Sequence, residues 1–118
     1  MRRATLIGLA TLLQASPAFA HAFLERASPP VGSELTAAPP DLSITFTEGV
    51  EPLFSTIEVH GANGSTIAIG KPHVASDSNQ RLIAELPKLP PGVYTVIWHV
   101  TSVDTHKTEG KYQFTITH

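Results

Sequence analysis

The chain contains no cysteine, so it cannot build a disulfide, a thiolate zinc site, an iron–sulfur cluster or a thiol nucleophile. Its single methionine is Met1, and if the start of the chain is removed no thioether remains for reduced copper. Positive charge is also scarce. Eight lysines and arginines against ten acidic residues leave a formal charge of −2 over 118 residues, which argues against nucleic acid as a partner. Long apolar runs are missing too. The one candidate, Ala4 to Leu13, is shorter than the roughly 20 residues a helix needs to cross a bilayer, so no membrane span is expected after processing.

The first twenty residues instead have the layout of an export signal. Arg2 and Arg3 precede the apolar stretch, no acidic residue interrupts it, and Ala18-Phe19-Ala20 is a small-x-small cleavage site. Residues 1–20 are therefore read as a cleaved signal peptide and residues 21–118 as one small domain with one core. Loss of Arg2 and Arg3 leaves six basic residues against ten acidic ones and a net charge of −4. Without cysteine, the exported domain depends on its apolar core and backbone ladders.

The hydrophobic period after residue 21 is two rather than 3.6, with prolines and glycines interrupting it every ten residues or so. Leu42, Ile44 and Phe46 alternate with Ser43, Thr45 and Thr47, and Ile57 and Val59 alternate with Thr56 and Glu58. Asn63-Gly64 predicts a type I′ turn that returns the chain along residues 66–69. Ser76 to Gln80 is expected to be a mobile polar loop, followed by Leu82, Ala84 and Leu86 on one face. The longest segment, Val93 to Ser102, places Tyr94, Val96, Trp98 and Val100 together, with Trp98 as core anchor. A last strand is expected from about Lys111 to Thr117, burying Tyr112, Phe114 and Ile116. Seven or so short strands without helices predict an all-β fold: a Greek-key, immunoglobulin-like β-sandwich, with a closed barrel as the structural alternative.

Candidate chemistry lies in three places: His21, the pair Asp104 and His106, and Glu48. Cleavage after Ala20 would make His21 the N-terminal residue, able to chelate one ion through its α-amine and its Nδ1. Asp104 and His106 stand two apart, so in extended backbone their side chains project from the same side and can reach one ion. Alone, an Asp-x-His pair is weak evidence for a metal, because both residue types are common in polar loops and a solvated turn in which Asp104 bonds nearby backbone accounts for it more simply. Joined to His21 it offers three nitrogens and a carboxylate oxygen, a donor set suited to tetragonal Cu(II).

These residues sit within ordered motifs: His21-Ala22, Ser28-Pro29-Pro30-Val31-Gly32, Phe46-Thr47-Glu48-Gly49-Val50-Glu51-Pro52, the run from Leu89 to Trp98, and Ser102-Val103-Asp104-Thr105-His106 followed by Gly110 and Phe114. In these motifs, over essentially all of residues 21–118, the chain resembles the CopC family of periplasmic copper-binding proteins. The resemblance implies a seven-stranded β-sandwich that binds Cu(II) through the N-terminal amine and imidazole of His21, Asp104 and His106. It implies a glutamate near the site, Glu48, hydrogen-bonding a ligand or a bound water. Family members with a Cu(I) site carry a methionine-rich loop; with no methionine beyond Met1, one Cu(II) site and no Cu(I) methionine site are expected. Three positions depart from the family pattern: His99 replaces arginine, Thr105 replaces glycine and Gly49 replaces proline. None removes a ligand, but Thr105 narrows the backbone freedom of the ligand turn.

His60, His73 and His118 have no partner at ligand spacing and are read as solvated side chains. His99 has the opposite parity to Trp98 and belongs on the outer face, with a supporting role at the copper as its alternative. The function expected is periplasmic copper sequestration, trafficking or resistance without catalysis, with copper passed on to an inner-membrane transporter of the CopD type. Two rivals remain. A copper monooxygenase also uses an N-terminal histidine brace, although Asp104 opposes the reduction that oxygen activation requires. A metal-independent interaction sandwich shares the same fold class.

Overall fold

A computed structural model describes residues 22–118. His21 and the proposed signal peptide lie outside the described residues. In chain order the strands are β1 (Leu24–Ser28), β2 (Glu34–Leu35), β3 (Asp41–Phe46), β4 (Thr56–His60), β5 (Thr66–Ile67), β6 (His73–Ala75), β7 (Ser78–Glu85), β8 (Gly92–Thr101) and β9 (Lys107–Ile116). One 3-10 turn, Pro52–Phe54, separates β3 from β4. Among the described residues there are thus nine strands rather than seven, although β2 and β5 have only two residues each. They form a four-stranded sheet, β1-β3-β7-β6, and a five-stranded sheet, β2-β9-β8-β4-β5.

Alternation explains the packing. The inward residues of β3 (Leu42, Ile44, Phe46) and of β7 (Leu82, Ala84) meet those of β4 (Ile57, Val59), β8 (Tyr94, Val96, Trp98, Val100) and β9 (Tyr112, Phe114, Ile116) in one buried cluster. Two faces packed over one core, each with a polar outer side, give a sandwich rather than a closed barrel. Trp98 is only 5% exposed, and Phe46 meets it edge-on, with ring centroids 5.1 Å apart at 75°. Opposite Trp98 across the β8–β9 ladder stands Gly110. A Cβ on Gly110 would lie 2.5 Å from Trp98 Cζ2, so the indole occupies the space that a side chain there would need.

Local departures from expectation have visible causes. Asn63-Gly64 does not form a type I′ turn, because among the described residues the only non-glycine with positive φ is Thr105. Gly64 alone takes φ +84°, with Gly64 N–H donating to Gly61 O at 2.9 Å and Gly61 N–H to Ser65 O at 2.9 Å. The connection has three residues, the third left-handed. Ser78, Asn79 and Gln80 are not a loop but the start of β7. Val50 N–H donates to Asn79 O at 2.9 Å and Gln80 Nε2 to Phe46 O at 3.1 Å, so these polar residues complete backbone bonding at the sandwich end. The final strand begins at Lys107 rather than Lys111, because the ladder with β8 continues to Thr101 opposite Lys107.

Candidate metal centre

The β8–β9 hairpin carries Asp104 and His106 to one end of the sandwich. Ser102 N–H donates to His106 O at 2.9 Å and Thr105 N–H to Ser102 O at 2.8 Å, closing a connection of Val103, Asp104 and Thr105. Its third residue, Thr105, has φ +72°. This is the same hairpin geometry as Ala62-Asn63-Gly64, with a β-branched residue where the other turn has glycine. Asp104 and His106 do come together, with His106 Nδ1 3.3 Å from Asp104 Oδ2. The cause is this tight turn, not the extended backbone inferred from the spacing.

Ser102 organises the turn and had been assigned no role from sequence. It is fully buried; its hydroxyl donates to Asp104 Oδ1 and accepts from the His106 backbone N–H at 3.3 Å. Asp104 and His106 themselves stay accessible, their side chains 35% and 55% exposed. The Asp104 carboxyl is held below the usual carboxylate range. The Ser102 hydroxyl is the largest cause, partial desolvation opposes it, and the His106 ring and backbone add to the lowering. The result is an ionised oxygen donor beside an imidazole.

Two other segments are tied to this loop. Val103 N–H donates to Gly49 O at 2.9 Å, which joins the turn to the 47–50 segment and so to the neighbourhood of Glu48. Glu48 is half-buried there. Thr47 Oγ1 accepts from Phe23 N–H at 3.0 Å, and Thr47 N–H donates to Phe23 O at 2.8 Å. Ala22 is fully buried, and its carbonyl accepts from Thr108 Oγ1 at 2.5 Å, two residues beyond His106. Among the described residues no group of three or more His, Cys, Asp or Glu side chains converges as a metal cage; the third expected ligand, His21, lies outside them.

The remaining histidines are elsewhere. His99 is exposed on the outer face of the five-stranded sheet, its Nε2 3.0 Å from Glu109 Oε1 on the paired strand. His60 is not simply solvated: its Nε2 meets Glu58 Oε1 at 2.9 Å, two positions back along β4. His73, on β6 rather than in a loop, and His118 are exposed.

Residues 24–117 match the CopC domain family model. Protein YobA of Escherichia coli K12 is 38% identical over 109 residues, covering 92% of this chain and 88% of that protein. Copper transport protein CutJ of Bacillus subtilis is 36% identical over 99 residues, covering 83% of this chain but only 18% of that much longer protein. The crystal structure of CopC from Methylosinus trichosporium OB3b superposes with a TM-score of 0.77 at 34% identity, covering 82% of this chain and 94% of that one. That of PcoC, a methionine-rich copper resistance protein from Escherichia coli, gives 0.74 at 28% identity, with 83% and 100% covered. With its β-sandwich and nearly its whole described length matched, the chain belongs to the CopC family of copper-binding resistance proteins.

Proposed function

We propose that the chain is a periplasmic Cu(II) carrier whose single site forms when residues 1–20 are cleaved. The ligands are the α-amine and Nδ1 of His21, the Asp104 carboxylate and the His106 imidazole, with Glu48 supporting the site through a hydrogen bond to a ligand or bound water. Cu(II) stands at the top of the divalent affinity order, so a nitrogen-rich set needs little further selection against zinc. It does no covalent chemistry; it holds copper and passes it to a transport protein of the CopD type. The observation that supports this reading is the bond from Thr108 to the Ala22 carbonyl. It ties the residue after the proposed new terminus to the strand that begins immediately after His106.

The α-amine must be unprotonated to bind, and such amines titrate near about pH 7.7, so affinity should fall as the medium becomes acidic. The test is a competitive Cu(II) titration of protein beginning at His21 against protein bearing one extra N-terminal residue. The native terminus should bind at least tenfold more tightly. Equal affinities would remove the amine from the ligand set.

A further inference from the structure

Among the described residues six large apolar side chains are exposed: Phe23, Val31, Leu53, Phe54, Val93 and Val103. Four of them, Phe23, Leu53, Phe54 and Val103, belong to the three segments laced together around the Asp104–His106 turn. Phe23 is bonded to Thr47, and Val103 to Gly49. The Phe54 carbonyl accepts from Thr101 Oγ1 at 3.0 Å, and Ser55 Oγ accepts from Thr101 N–H at 3.2 Å. Leu53 and Phe54, 78% and 71% exposed, sit on the 3-10 turn, with no buried residue among Pro52–Phe54. Beneath Phe54 lies an open cleft of about 380 Å³ bordered by His99, Thr101, Lys107 and Glu109. Such a concentration of exposed apolar groups at one end of a small domain marks a contact surface.

Charge narrows the occupant. Segments 22–24, 47–55 and 101–106 contain Glu48, Glu51 and Asp104 and no lysine or arginine; the cleft beside Phe54 adds Glu109 and one cation, Lys107, so the surface is acidic on balance as well as apolar. Anionic phospholipid would be repelled, whereas a protein surface with an apolar centre and a basic rim is complementary. Resting on the copper-carrier reading above, we propose that this end of the sandwich, with Leu53 and Phe54 as its anchors, is the face on which a separate copper-transport protein docks to receive the ion. In CutJ, a copper transport protein of Bacillus subtilis, the segment related to this chain makes up 18% of the protein, so a domain of this kind works alongside copper-transport machinery there. Because these segments are hydrogen-bonded to one another and to the ends of the metal-ligand turn, docking brings the acceptor to the cargo.

The probe is detergent-solubilised CutJ from which the 99-residue matched segment has been deleted, immobilised and titrated with Cu(II)-loaded protein beginning at His21. Wild type should bind saturably, and the double variant Leu53→Ser/Phe54→Ser at least tenfold more weakly, with its Cu(II) titration and melting temperature unchanged. Equal binding by variant and wild type, or no binding by either, overturns the proposal. So does Phe54-dependent binding to vesicles containing anionic phospholipid, or Phe54-dependent dimerisation in sedimentation. A protein that fails to titrate Cu(II) yet still docks through Phe54 refutes the carrier reading and leaves the docking face standing.

Discussion

Ser102→Ala tests whether the buried hydroxyl, and not merely the Asp-x-His spacing, makes the candidate centre. The substitution removes an oxygen that is wholly inside the protein, so alanine fits without a clash. It deletes the donor to Asp104 Oδ1 and the acceptor of the His106 N–H. The second of these is a neutral hydrogen bond at 3.3 Å, worth about 1 kcal/mol net. For a domain of this size that corresponds to a fall of roughly 4–8 °C in Tm. The larger consequence concerns the metal. Without Ser102 the Asp104 carboxylate loses its main orienting partner and the chief cause of its lowered pKa. Removal of an orienting partner of a ligand typically costs about 10–100-fold in metal affinity. Competitive Cu(II) titration well below the melting range separates the two effects. A variant that melts a few degrees early but binds Cu(II) as wild type does would refute the claim that Ser102 presents the ligand.

Three further predictions concern the frame that carries the site. Thr105→Gly should stabilise the domain. It relieves a left-handed β-branched residue, about 1–2 kcal/mol, and returns part of that gain, about 0.5–1 kcal/mol, as glycine backbone entropy; a lower Tm in differential scanning calorimetry would contradict the strain at φ +72°. Gly110→Ala drives a methyl to within 2.5 Å of the Trp98 ring and should cost about 1–3 kcal/mol by overpacking, seen as a lower urea midpoint; an unchanged midpoint would mean that the indole yields freely. Burial pushes the Tyr112 phenol well above its ordinary value of 10.0. The unfolded chain therefore loses that proton first, and stability should fall as pH rises above about 10. Tyr112→Phe should abolish that share of the alkaline loss, and urea melts of both proteins at pH 9 and pH 11 provide the check.

The strands that bury one clean face were legible in the sequence. β3, β4 and β8 alternate without interruption, and their inward residues are the ones the core contains. β1 escaped because it lies at a sheet edge and its register shifts between Leu24 and Arg26, which breaks the period on which such a reading depends. β2 is two residues paired in parallel with β9, too short for any pattern. Polar Ser78, Asn79 and Gln80 have the composition of a loop, and what makes them strand is largely backbone bonding, which composition does not reveal. At the centre, the spacing of Asp104 and His106 was informative although the backbone geometry assumed for it was not. The sequence carries no signal for the role of Ser102, since only the folded turn shows its hydroxyl aimed at the aspartate. The outward placement of His99 followed from strand parity, whereas the Glu58–His60 pair, at the same spacing as Asp104–His106, was passed over.

Bonds that secure the beginning of the described chain use the carbonyl of Ala22 and both backbone groups of Phe23. A copy with one residue too many or too few ahead of Ala22 still has the groups that make these bonds and should fold to the same sandwich. Surveillance that recognises unfolded protein would therefore pass a misprocessed copy, even though it lacks the terminus that the proposed site requires. On the proposed ligand set, the accuracy of copper loading is then set by where the peptidase cuts, and a population uniformly folded as a sandwich can still be heterogeneous in metal occupancy.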